Sequence, residues 1–180
     1  MLETPRLILR QWKETNLKPF AALNQDSVVR EFFPSLLTEE ESREQALICQ
    51  KEIATEGFSF FAAEVKGSSD FIGMIGLRKV GFDALFTPAI EVGWRLAKEH
   101  WGKGYATEGA RAAVHFGFDV LHLKEIVSFT TKANARSIRV MEKIGISYVC
   151  DFHHPKLAEG HPLRPHVLYK ISAAKNHRYQ

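Results

Sequence analysis

The chain has 180 residues, enough for one domain with a sizeable core, and its 45% hydrophobic and 25% charged residues exclude a disordered polypeptide. A net charge of +3 is too small to argue for nucleic acid on its own, and no apolar run approaches the ~20 residues needed to span a bilayer. Cys49 and Cys150 are far apart and form no CxxC motif, and Met1 to Pro5 lacks the basic and apolar regions of a signal peptide. A reduced, cytoplasmic protein is therefore expected.

Arg6 to Arg10 reads as a short first strand. Glu14 to Asn24 and Ser27 to Phe33 read as helical, with Pro34 ending the second. Thr38-Glu39-Glu40-Glu41 is a capping box, and the helix it starts carries Ala46, Cys49, Ile53 and Ala54 on one side. Gly57 supplies its stop. Phe58 to Val65 and Phe71 to Val80 are rich in aromatic and branched residues, and Lys66 to Asp70 between them is a turn, so a hairpin is expected. Gly81 to Pro88 is a loop and Ile90 to Leu96 the next strand.

His100 to Gly109 then forms a glycine-rich turn, followed by an amphipathic helix from Thr107 to about Leu121. Ile126 to Thr130 is a strand, Asn134 to Ile144 a short helix stopped by Gly145, and Ile146 to Asp151 and Val167 to Ser172 are the last strands. Grouped strands with interleaved helices predict an α+β fold around one mixed, twisted sheet flanked by helices, in a single domain over residues 1–180.

The turn before the long helix is the most informative segment. Glycines let backbone N–H groups converge, and the helix dipole adds partial positive charge, so an anion is expected there. A Walker A loop does not fit, because Lys103 lies between the glycines and no Ser or Thr follows a Gly-Lys pair. A dinucleotide fingerprint does not fit either. Its third glycine is replaced by Thr107, and several strands precede the turn.

Three segments in order carry a resemblance: Glu3-Thr4-Pro5-Arg6-Leu7-Ile8-Leu9-Arg10, Glu91-Val92-Gly93-Trp94 leading into Trp101-Gly102-Lys103-Gly104-Tyr105-Ala106-Thr107-Glu108, and Asn134 to Gly145. Together they resemble the GNAT acyltransferases, and specifically the RimJ/RimL-type ribosomal-protein N-acetyltransferases, over essentially the whole length. The resemblance implies acetyl-CoA as donor, a primary amine as acceptor and direct attack in a ternary complex. It implies cofactor contacts from Arg95, Leu96 and Ala97 along the strand, from Trp101, Gly102, Lys103, Gly104, Tyr105, Ala106 and Thr107 around the diphosphate, and from Asn134 and Ser137 to the pantetheine arm. Trp101 departs from the family's usual Gln or Arg, and Met141 stands where many members carry a tyrosine acid.

An amine attacks only when neutral. An α-amine, with a reference pKa of roughly 7.7–8.0, is partly ready at pH 7, whereas neutralising a lysine costs close to ~4.6 kcal/mol. Either gains from a base. Glu91 is the candidate base, against a structural pairing with Arg95 or a neighbour, and Ser137 the candidate donor to the leaving sulfur. Asn134 reads first as a contact to the pantetheine arm, a role compatible with the alternative of capping its helix. Arg136, Arg139 and Lys143 could meet the 3′-phosphate or form a solvated basic face.

His153, His154, His161 and His166 lie in a proline-bearing loop with no zinc spacing, so no metal is expected, and Tyr169 reads as core. This loop, with Phe32, Phe33 and Pro34, is expected to border the acceptor site. Neither membrane nor direct nucleic-acid binding is expected, and a homodimer through exposed strand edges is possible. The competing function is a catalytically silent acyl-CoA-binding module.

Overall fold

The computed structural model describes residues 1–176, so the last four residues of the expected domain lie outside the described residues. In chain order the elements are β1 (Leu2–Glu3), β2 (Leu7–Arg10), α1 (Glu14–Gln25), α2 (Glu39–Glu56), β3 (Phe60–Val65), β4 (Phe71–Lys79), β5 (Ile90–Leu96), α3 (Tyr105–Asp119), β6 (Glu125–Thr131), α4 (Ala135–Lys143), β7 (Ser147–His153), β8 (Pro165–Ser172) and α5 (Ala173–Asn176). The strands form one mixed sheet in the order β1-β2-β3-β4-β5-β6-β8-β7. The expected α+β architecture is present, with helices on both faces of the sheet.

Side-chain alternation assigns the faces. Leu7, Leu9, Phe61, Ile75, Leu77, Val92, Ile126 and Ile171 join Ala110, Ala113 and Val114 of α3 and Met141 of α4 in the larger core. On the opposite face Trp12, Phe20, Leu23, Ala46, Cys49, Phe60, Ala62 and Met74 pack beneath α1 and α2. Tyr169 belongs to the larger core.

Neighbouring strands pair antiparallel except at the centre, where β5 and β6 run parallel with a single registered pair, Glu91 opposite Val127. The Ser128 hydroxyl donates to the Val92 carbonyl at 2.9 Å and closes that last point of contact. Beyond it, Trp94 to Leu96 present an edge that β6 does not cover. This opening lies in the middle of the sheet, beside the start of α3.

Thr38 caps α2 as a full capping box with Glu41, and Gly57 ends the helix in the left-handed conformation. The hairpin of β3 and β4 is also present. Residues 27–33, however, form turns rather than the expected helix. The Asp26 carboxylate accepts from the N–H groups of Val28 and Val29. The Arg30 guanidinium folds back to the Ser35 carbonyl, and Phe33 lies between Arg30 and Arg95, at 4.3 and 4.4 Å from ring centroid to guanidinium. Local capping and tertiary stacking outweigh the helical pattern here. Smaller differences concern ends. Helix α3 starts two residues before Thr107, β8 starts at Pro165, and the two-residue β1 was not anticipated.

Candidate active site

Helix α3 begins without a side-chain cap, because its N-cap is Gly104 at φ +83°. Gly102 is also left-handed at φ +73°. These positive angles turn the chain so that no N–H from Gly102 to Thr107 finds a backbone acceptor among the described residues. Six successive donors at the positive end of a four-turn helix form an anion site.

The loop is braced from behind by residues whose roles the sequence did not disclose. Arg6 donates to both Glu108 oxygens, through its N–H to one and its Nε to the other at 2.6 Å. Its Nη1 holds the Lys103 carbonyl at 2.9 Å, and its guanidinium covers the Tyr105 ring. The Thr4 hydroxyl also donates to Glu108. Burial raises the Glu108 pKa, but the hydrogen bonds from Thr4 and Arg6 outweigh it and hold the carboxylate low. The available signal was the acid in the first turn of α3 and an arginine just before β2.

Along β5 the hydrogen-bond alternation decides which groups face the opening. The Ala97 N–H donates to Ile72 of β4, so Ala97 faces the paired side and Leu96 the opposite one. Trp101 donates its indole N–H to the Leu96 carbonyl at 2.8 Å. The Leu96 N–H faces the same side. Arg95 is buried on the α1/α2 face, donating to Asn24 at 2.8 Å and Gln45 at 2.9 Å, with its Nε unpartnered. Burial, and secondarily Arg30, pushes its pKa down to about 9.

Glu91 is half-buried on the same face as Arg95. It stands opposite Arg78 on β4. Arg78, however, is engaged by both carboxylate oxygens of Glu52 at 2.8–3.2 Å, which leaves Glu91 without an ion pair or hydrogen bond among the described residues. Burial pushes the Glu91 pKa up to about 7, against the opposing field of Arg78. The structural pairing with Arg95 or a neighbour is therefore not formed, and the carboxyl changes charge near neutral pH.

Across the opening, Asn134 caps α4. Its Oδ1 accepts from the Ser137 N–H at 3.2 Å, and its Nδ2 reaches Thr130 and Ser137 hydroxyls at 3.1 Å. The Ser137 oxygen is thus an acceptor from Asn134, so its own proton is available to another partner. Met141 is 1% exposed in the core and offers no hydroxyl. Arg136 stacks on Trp101 at 4.6 Å and pairs with Glu31 at 2.7 Å, joining α4 to the segment after α1. Arg139 and Lys143 are exposed.

Of the four histidines, His154 and His166 meet with tilted rings 4.9 Å apart, and among the described residues no three His, Cys, Asp or Glu side chains could hold a metal ion. Burial pushes the His154 pKa down to about 4, with His166 and Lys156 adding to the effect.

Residues 6–147 match the acetyltransferase (GNAT) domain family. The chain belongs to the GNAT acetyltransferase family. This acetyltransferase is 31% identical over 151 residues to the uncharacterized N-acetyltransferase YoaA of Bacillus subtilis, covering 81% of each chain. Its fold is similar to that of a GNAT-family acetyltransferase from Bacillus anthracis, with TM-score 0.81 at 24% identity over 96% of this chain and 98% of that one. It is also similar to the spermidine N-acetyltransferase of Vibrio cholerae solved with CoA and spermine, with TM-score 0.75 at 20% identity over 94% and 97% of the two chains. The GNAT family uses acetyl-CoA, and the opening beside β5 and the uncapped start of α3 provide donors suited to its amide and diphosphate groups. No helix among the described residues is long and apolar enough to cross a membrane.

Proposed function

We propose that this acetyltransferase transfers an acetyl group from acetyl-CoA to a primary amine by direct attack in a ternary complex, as a RimJ/RimL-type enzyme of the cytoplasm. The observation that carries the reading is an unpaired carboxyl, Glu91, with a pKa of about 7 at the last contact between β5 and β6. The amine approaches from the α1/α2 face and passes its proton to Glu91. Its lone pair attacks the thioester carbonyl, the C–N bond forms and the C–S bond breaks. Ser137, on the other side of the opening, supplies a hydrogen bond to the departing sulfur. The six N–H groups from Gly102 to Thr107 hold the diphosphate, and Leu96 and Asn134 flank the pantetheine arm.

Both cysteines are free, Cys49 buried and Cys150 exposed, which supports a reduced compartment. The buried Met141 favours one competing reading, a module that binds acetyl-CoA without turnover. Release of free thiol from acetyl-CoA in the presence of primary amines decides between them. The enzyme reading expects amine-dependent thiol release that falls at least tenfold in Glu91→Gln. Tight binding with no turnover on any amine would favour the silent module.

A further inference from the structure

The face that presents Glu91 continues across the sheet into a wall of rings. Val127 lies beside Glu91 on this face, and Phe129 follows two residues on, about 7 Å along β6. The ladder places Leu168 and His166 of β8 and Phe152 of β7 on the same face. The loop between β4 and β5 lies across them. Phe82 packs on Phe129 at 5.4 Å and on His154 at 4.5 Å, while Phe86 packs on Phe129 at 5.9 Å and on Phe152 at 5.2 Å. The rings touch one another edge to face or tilted, so no ligand fits between them. Phe82, Phe86, Phe129, Phe152 and His154 each remain half-exposed, so their outer side is a surface.

Charge on this face is one-sided. The rings are uncharged, and His154, with its pKa near 4, is neutral at pH 7. The loop's carboxylate, Asp83, is exposed rather than packed among them. Glu52 is neutralised by Arg78. Arg30 and Arg95 are buried, and their hydrogen bonds go to Ser35, Asn24 and Gln45 rather than to any carboxylate; the charge of Glu41 reaches Arg30, and among the described residues no carboxylate is paired with Arg95. Glu91 is thus one unpaired acid, suited to one ammonium, beside an apolar wall, with the Arg78 guanidinium opposite it and Arg95 further along the same face of β5 to repel a second cation.

We infer that the acceptor is a primary monoamine whose amine-bearing body is aromatic or otherwise apolar and lies on the Phe82–Phe86–Phe129–Phe152 wall, and that polyamines are disfavoured. This rests on the amine-acetyltransferase reading and narrows it. The same chemistry is available from a small arylalkylamine or from a peptide N-terminus bearing an aromatic side chain.

Initial rates of thiol release at saturating acetyl-CoA test it, with 2-phenylethylamine, a Phe-initiated tripeptide amide, propylamine and spermidine as acceptors. At least one aromatic amine should exceed spermidine about tenfold in kcat/KM, and which one does so separates the two sources. Phe86→Asp, a loop substitution that places a carboxylate on the wall, should narrow or reverse that ratio while leaving acetyl-CoA binding intact. Asp83→Asn should leave the ranking as it is. Spermidine turned over faster than both aromatic amines by the unaltered protein would overturn the inference and leave the amine-acetyltransferase reading standing. An unchanged ratio in a Phe86→Asp protein that still binds acetyl-CoA would also overturn it. Acetyl-CoA binding with no turnover of any of the four amines would remove both.

Discussion

Glu91 owes its state to what surrounds it. Its natural partner across the strand, Arg78, is held by Glu52, so burial rather than pairing sets its pKa near 7. A carboxyl raised in this way is neutral where the unfolded chain's carboxyl would already be charged. The stability it contributes is therefore complete below about pH 4.5 and is lost as pH rises through about 7. The proposed catalysis runs the other way, since Glu91 acting as base must be ionised. At a saturating amine, kcat should rise through about pH 7, and in Glu91→Gln the residual rate should lose that limb. A limb near pH 7 that persists unchanged in the variant would take the base role from Glu91. Ser137→Ala should lower kcat about tenfold with little change in acetyl-CoA affinity, because the serine proton is free to donate while Asn134 keeps its cap through the Ser137 N–H. A reduced affinity with unchanged kcat would instead assign Ser137 to binding.

At the scale of elements, the two glycines of the loop orient the donors, and the Arg6–Glu108 brace fixes the loop to β2. Arg6→Ala removes charge-assisted hydrogen bonds worth roughly 1.5–3 kcal/mol each in favourable settings, here discounted by exposure. The expected result is an acetyl-CoA Kd raised about tenfold with kcat at saturation little changed, measured by titration calorimetry. Thr38→Ala should cost ~1 kcal/mol by removing the cap of α2, seen as a Tm lowered by about 2–4 °C without effect on turnover. These elements differ in how openly the sequence announced them. The Thr38 box and Gly57 stop are legible because they are local. The turns at residues 27–33 are not, because Asp26 caps them locally while Arg95, some sixty residues on, supplies the stacking that holds Phe33. The brace is also non-local, since Thr4, Arg6 and Glu108 meet only after β2 and α3 are packed together.

For the whole molecule, the proposed donor side is legible in the glycine turn and the strand before it, since a phosphate cradle is written in consecutive residues. The proposed acceptor side is assembled from α1, α2, the loop after β4, and β6 to β8. The four phenylalanines of its wall have no sequence spacing that would group them; only the register of the sheet does. Sheet packing is close at its centre. A Cβ at Gly76 would lie 2.2 Å from the Ser59 carbonyl oxygen, so Gly76→Ala must displace backbone of the neighbouring strand. This should cost about 3 kcal/mol and lower Tm by about 6–12 °C.

The proposed mechanism requires acetyl-CoA to lie across the opening between β5 and β6 with its diphosphate on the start of α3. An amide-resolved NMR titration tests it most directly, with acetyl-CoA added to isotopically labelled protein. The N–H signals of Gly102 to Thr107 and of Leu96 should shift most, and Arg6→Ala should weaken the response at the same residues. Saturation that leaves those seven amides unmoved, or no binding at millimolar acetyl-CoA, would rule out this mode of binding.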